Sequence, residues 1–417
     1  MEIYHALTII VVLTALFGYI NYRFIRLPRT IGIMLISLAA SLAVVLLGNI
    51  FPEVFEATIK SVSAIDFDAV VLDVMLSFLL FAAAVHIDIK SLRRQRNAII
   101  TYASIGVILS AVIVGVLTWM MVTAFGLHVE FLYCLLFGAL ISPTDPIAVA
   151  AILRNSKISE TIKSKINGES LFNDGMAVVI FITVYELSHS GIQNVSVWDV
   201  VLLFVRETGG GIILGTLLGY AGYYMLKTMD NYVIEVMITL AIVMGGYSLA
   251  QMLFVSGPLT MVIAGLITRN KSMSGTSEKS RDYLGKFWEM IDEVMNAVLF
   301  LLIGFEMLIV PFNMTLLVMG LISIFIVLVA RLISVSAPII VIRNKKAFRN
   351  NSIPLLTWGA LRGGISVALA LSVPKYMYGE MFVTITYIVV LFSIVVQGLT
   401  IEKLAHRLQR GARSRPR

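Results

Sequence analysis

Apolar runs of about 20 residues, parted by short polar or basic connections, recur along the whole chain. Runs of that length match membrane-spanning helices; barrel strands would alternate apolar and polar positions over about 10 residues. The pattern predicts thirteen spans, at roughly 3–22, 30–49, 67–87, 98–125, 130–153, 163–187, 197–227, 232–254, 257–269, 285–310, 313–342, 353–373 and 380–403. The expected fold class is an all-α polytopic membrane protein. The first run, Ile3 to Ile20, lacks a basic leader and a small-residue cleavage site, so it reads as a span and not as a cleaved signal.

Helix breakers interrupt two of these spans. The fifth holds Ser142-Pro143-Thr144-Asp145-Pro146, and the twelfth holds Gly359-Ala360-Leu361-Arg362-Gly363-Gly364. Spans one to six and eight to thirteen therefore each carry a broken helix in fifth place. With the long seventh span between them, the two halves run in opposite directions. Two inverted-topology repeats are expected, with a site where the broken helices cross.

Composition agrees with the pattern. Of 417 residues, 59% are hydrophobic and 14% charged, against about 45–50% and about 25% in a globular domain. The net charge of +7 does not point to nucleic acid. The basic residues sit in short connections, at 23–29, 90–96, 154–165, 227, 269–286, 343–349 and 403–417, which alternate with connections holding only Lys60, Arg206 and Lys375. Positive charge marks the cytoplasmic side. The C-terminus is then expected in the cytoplasm and, with an odd number of spans, the N-terminus outside. Residues 404–417 are expected to be a short basic cytoplasmic tail, too short for a regulatory domain and suited to anionic lipid. The single Cys134 allows no intrachain disulfide.

The chemistry lies in the broken spans. Asp145 and Asp174 stand inside apolar runs, where a charge costs roughly 2.5–3.5 kcal/mol on insertion scales. Such groups face a cavity or a partner. Pro143 and Pro146 free backbone carbonyls beside Asp145, so an unwound turn can offer the Thr144 carbonyl or hydroxyl to a cation. The alternative role of Asp145 is to cap the second half of a kinked helix. Ser170 and Asp174 are four residues apart and share a helix face. Carboxylate, hydroxyl and carbonyl oxygens together suit a hard monovalent cation. A carboxylate in a partly dry cavity can also hold a proton near neutral pH. One group would bind a cation or a proton, never both, and such competition makes an exchanger. The alternative for Asp174 is a structural partner of a nearby Arg.

Glu169 and Arg362 are expected to form an ion pair bridging the halves, since neither is stable alone in a membrane interior. The alternative is that each faces water separately. Arg331, in the eleventh span, has Asp292, Glu293 and Glu306 as candidate partners. His86 near Asp88 closes the third span and is a candidate pH sensor. Gly209-Gly210-Gly211, Gly215 and Gly219 suggest close helix packing. Neither His-Glu-x-x-His nor Gly-x-Ser-x-Gly occurs, so the chain is not expected to be an enzyme.

Three stretches resemble a known family: Ser142-Pro143-Thr144-Asp145-Pro146-Ile147-Ala148-Val149, Gly168-Glu169-Ser170-Leu171-Phe172-Asn173-Asp174-Gly175, and Gly359-Ala360-Leu361-Arg362-Gly363-Gly364-Ile365-Ser366. The stretch from Phe287-Trp288-Glu289 to Leu302-Ile303-Gly304-Phe305-Glu306 is similar too. The family is the monovalent cation:proton antiporters, in the prokaryotic-type sodium/proton exchanger branch with an Asn-Asp pair. The resemblance implies thirteen helices. A core domain (about 98–187 and 313–403) would move against a dimerisation domain (about 1–90 and 232–310), joined by a linker helix (about 197–227). It implies that Asp174 binds cation and proton, that Asp145, Thr144 and Ser170 complete the sodium site, and that Asn173 contacts Thr144. Glu169 would pair with Arg362. Relatives with Asn in place of a second Asp at 173 are typically electroneutral. Members often carry an acid in the third span, where this chain has Phe81-Ala82-Ala83-Ala84, with His86 or Asp88 as candidate substitutes.

The expectation is a secondary antiporter exchanging Na+, or Li+, for H+ across a plasma membrane by alternating access. It would act as a homodimer in pH homeostasis, without cofactor. Potassium/proton exchange is the rival within transport. A membrane receptor or channel is the rival from another class.

Overall fold

The computed structural model describes residues 2–48, 67–87, 89–145, 160–190, 197–272, 278–308, 313–341 and 352–413. Among these there are helices and connections, and no strand. The main helices are α1 (Glu2–Ile20), α2 (Arg29–Leu47), α3 (Leu76–His86), α4 (Val107–Ala124), α5 (Phe131–Leu140), α6 (Glu160–Ser190), α7 (Val197–Lys227) and α8 (Tyr232–Met252). They continue as α9 (Gly257–Ser272), α10 (Glu278–Glu306), α11 (Met314–Val341), α12 (Ser352–Trp358), α13 (Gly364–Leu371), α14 (Gly379–Phe392) and α15 (Gly398–Arg413). A helix satisfies every backbone group within its own segment, which is what a chain this apolar needs in hydrocarbon.

Eight helical stretches among the described residues are long and apolar enough to cross a membrane. The other five predicted spans are also helical, but each is short, broken or charged. The third is the shorter run Val70–His86, and the fifth is Phe131–Leu140, with 146–153 outside the described residues. The ninth is α9, the tenth is the charge-bearing α10, and the twelfth is the broken pair α12 and α13. The last helix, α15, runs on to Arg413, ten residues beyond 403, where the last span is expected to end.

The two breaks have identifiable causes. α5 stops at Leu140, just before Pro143, which has no N–H to donate and disfavours helical backbone in the residue before it. Between α12 and α13 the glycine-rich stretch runs extended, with Gly363 at φ −126° and ψ −160°. The two unwound segments meet: the Asp145 backbone N–H donates to the Leu361 carbonyl at 2.8 Å.

Packing around this crossing falls into two groups. α4, α5, α6, α11, α13 and α14 surround the breaks, while α2 packs on α10, and α3 and α7 pack on α9. α7 and α9 approach closely along the glycine ridge. A Cβ on Gly215 would lie 2.6 Å from the Thr260 carbonyl oxygen, and one on Gly211 would lie 2.8 Å from that of Ser256. Small residues let helix backbones touch in a membrane. Gly215→Val should therefore force the two helices apart, and overpacking of this kind typically costs about 1–3 kcal/mol. A lower melting temperature in detergent is the expected result; an unchanged one would mean the ridge does not set this contact.

Candidate functional site

The first half of the site comes from the end of α5 and the middle of α6. The Thr144 and Ser170 hydroxyls lie 3.0 Å apart. Asn173 Nδ2 donates to Thr144 Oγ1 at 3.1 Å and to the Ser142 carbonyl at 3.4 Å. A carbonyl can only accept, so the second contact fixes which end of the Asn173 amide faces the break. Ser170 and Asp174, one helical turn apart, are both buried on α6. Asp174 is 5% exposed, and its Oδ1 has no hydrogen-bond partner among the described residues. Buried polar atoms are rarely left unpartnered unless something else, an ion or water, completes them.

The second half comes from the break before α13. The Asp145 carboxylate lies against Gly363: a Cβ there would come 2.7 Å from Asp145 Oδ2. Only a glycine leaves that room. Gly364 opens α13, so the helix presents its positive end near this carboxylate. Arg362 fills the opposite need. Its Nη1 donates to the carbonyls of Ser142 and Pro143, each at 2.9 Å, and its backbone N–H donates to Ser393 Oγ at 2.9 Å. These are the carbonyls that the break leaves without helical donors.

Asp145 and Asp174 open onto one cavity of about 40 Å³. Pro143, Leu171, Gly363 and Ser366 line it from the crossing, Ala83 from α3, and Asn296 and Leu299 from α10. A water needs about 10–15 Å³ of such space, so the cavity accepts a small hydrated cation. No cluster of three or more His, Cys, Asp or Glu able to hold a metal occurs among the described residues. The oxygen donors here are two carboxylates with hydroxyl and carbonyl groups, a set for a hard cation.

One expected pairing is corrected. Glu169 is not hydrogen-bonded to Arg362; its Oε1 accepts from Arg331 Nη2 at 2.5 Å, and both side chains are buried. Arg362 is committed to the carbonyls of the broken helix, and Arg331 is the guanidinium left for the buried acid. Arg331 also donates to the Leu356 carbonyl at 3.4 Å, near the end of α12. Its proposed partners Asp292, Glu293 and Glu306 are likewise replaced. Glu293 instead meets Arg29 at the surface, and Asp292 holds Asn296.

Thr144, Asp145, Ser170, Asn173 and Asp174 are thus gathered, with Glu169, Arg331 and Arg362 bracing them. Pro146 to Val149 and the Asp88 side chain lie outside the described residues. His86 is exposed and bonded to the Ala82 carbonyl, away from the cavity lining. Sequence reasoning missed Asn296 and Ser366. The available signal was the Asp292/Asn296 pair, four apart on one helix face of a predicted span.

The sequence profile described as sodium/hydrogen exchanger, transmembrane, matches residues 11–407. The chain belongs to the sodium/hydrogen exchanger family. Among its relatives is the Na(+)/H(+) antiporter NhaP of Pseudomonas aeruginosa, 43% identical over 408 residues, covering 96% of each chain. The Na(+)/H(+) antiporter NhaH of Halobacillus aidingensis is 30% identical over 395 residues, covering 93% of each. The fold is similar to that of the sodium proton antiporter MjNhaP1 from Methanocaldococcus jannaschii, with a TM-score of 0.76 at 19% identity, over 98% of this chain and 99% of that one. This exchanger-family member is a multi-pass membrane protein.

Proposed function

We propose that this chain exchanges Na+ for H+ across the plasma membrane by alternating access, one for one, in the service of pH homeostasis. The observation that carries the reading is Asp174: a buried carboxylate with an unpartnered oxygen, facing a small cavity between two broken helices. Na+ would bind among Asp174, Asp145, Ser170 and Thr144. A proton on Asp174 removes the charge that holds the cation, so each ion leaves as the other arrives. The names of the relatives above support sodium as the cation.

Alternating access needs one body to move against another. The group around the crossing, α4 to α6 and α11 to α14, is the proposed mobile core. It works against α1 to α3 and α8 to α10, with α7 as the link and a homodimer holding the static part. With thirteen spans the N-terminus would lie outside and the C-terminus in the cytoplasm, a reading that the basic connections support.

Electroneutrality rests on Asn173, whose Nδ2 is spent on Thr144 and Ser142 and which adds no titratable group. Asp145, beside the opening turn of α13, is expected to stay ionised throughout and to contribute a constant charge. Exchange should then be insensitive to voltage. In proteoliposomes at equal pH, with K+ first shown not to be carried, a valinomycin-clamped potential should drive no Na+ accumulation. Accumulation driven by the potential alone would refute the one-to-one count.

A further inference from the structure

α10 forms part of the wall of the cavity onto which Asp174 opens, and it carries one polar side chain into the lining, Asn296. Asn296 is 1% exposed. Its Nδ2 donates to the Asp292 backbone carbonyl at 2.7 Å and to Asp292 Oδ1 at 3.1 Å. A backbone carbonyl accepts only, so the amide orientation is forced, and Oδ1 points away from Asp292. That Oδ1 has no hydrogen-bond partner among the described residues. Two atoms from different helices lining one cavity, Asp174 Oδ1 and Asn296 Oδ1, are thus both acceptors lacking donors among the described residues. A chain gains nothing by burying two such oxygens beside one cavity unless a cation or its water lies between them.

We propose that Asn296 Oδ1 is a ligand of the transported cation, direct or through one water, with Asp292 as the residue that positions it. The proposal deepens the exchange reading and rests on it. A neutral oxygen suits this place, because it adds a donor to the cation without adding a proton acceptor to the cycle. It also lies on a helix packed with α2 and α3, whereas Asp145 and Asp174 belong to the crossing. The full ligand set then exists only while the crossing faces α10. Movement of the core would strip one ligand from the ion and lower its affinity on the other side of the membrane. Ala83 lines the same cavity from α3 with a bare methyl group; Asn296 supplies an oxygen to it from α10.

The test is Na+/H+ exchange by purified protein in proteoliposomes, with Na+ and Li+ titrated separately. Asn296→Ala should raise the KM for Na+ about tenfold, as loss of one contact to a charged group does. Vmax should stay within about twofold, because the ligand acts in binding. The Na+ to Li+ preference should change, since the two ions differ in size. Asn296→Asp should bring the KM back to the wild-type value or below it. A merely structural Asn296 would instead lower the melting temperature or Vmax and leave KM and ion preference unmoved; that result overturns the proposal. Should Asn296→Ala fail to fold, Asn296→Ser is read by the same two criteria. A wild-type protein without Na+-dependent proton flux would sink the exchange reading itself, a failure distinct from an unchanged KM in the variant.

Discussion

Asp174→Asn is expected to reduce sodium-driven proton flux to the level of empty liposomes while the protein still folds. The substitution keeps the shape of the side chain on α6 and its place beside Ser170. What it removes is the group that a proton and a cation contest. An amide cannot exchange a proton at any working pH, and it is a weaker cation ligand than a carboxylate. Asp174 is 5% exposed and its Oδ1 has no hydrogen-bond partner among the described residues, so an amide of the same shape removes no hydrogen bond at that atom. The melting temperature should therefore stay within a few degrees, on the scale of an isosteric change. Flux measured with a pH-sensitive dye after a Na+ pulse decides the matter. Substantial exchange by well-folded Asp174→Asn protein would move the binding group elsewhere, with Asp145 as the next candidate.

The second large effect belongs to stability. Glu169 and Arg331 form a buried ion pair between α6 and α11. Removing one partner strands the other charge in the membrane interior, which typically costs about 3–5 kcal/mol. Glu169→Ala and Arg331→Ala should each lower the melting temperature sharply, and the double variant should lose much less than the sum. The coupling between Glu169 and Arg331 should exceed that between Glu169 and Arg362, whose guanidinium is bonded to the Ser142 and Pro143 carbonyls. Strictly additive losses for the first pair would show that the two charges do not sustain each other. Arg362→Ala should act differently: it frees the carbonyls of the break and distorts the ground on which Asp145 and Thr144 stand.

Much of the site was legible in the chain because membrane burial makes polar residues conspicuous. Asp145 and Asp174 stand out in apolar runs, and Pro143 and the glycines around Arg362 announce where helices must stop. The spacing of Ser170 and Asp174 places them on one face without any knowledge of the fold. The glycine ridge at 211, 215 and 219 was readable for the same reason, since a repeat of four on a helix is a stripe. Pairing was not readable. Four acids, Glu169, Asp292, Glu293 and Glu306, competed for Arg331 and Arg362, and the sequence carries no distance between α6, α11 and the segment before α13. Asn296 went unnoticed because an asparagine in a charged helix is ordinary until its oxygen is seen to lack a donor.

The sequence by itself determined the class: an all-helical membrane protein with two broken spans, two intramembrane carboxylates and basic connections on one side. Those properties are local. They follow from transfer free energy, helix period and proline geometry, which act residue by residue. Only the tertiary structure decided which guanidinium meets Glu169, that Asp145 rests on Gly363, and that α10 offers Asn296 to the same cavity. Each of these depends on how closely helices far apart in sequence approach. That distance is set by the summed packing of many side chains, and no single residue encodes it.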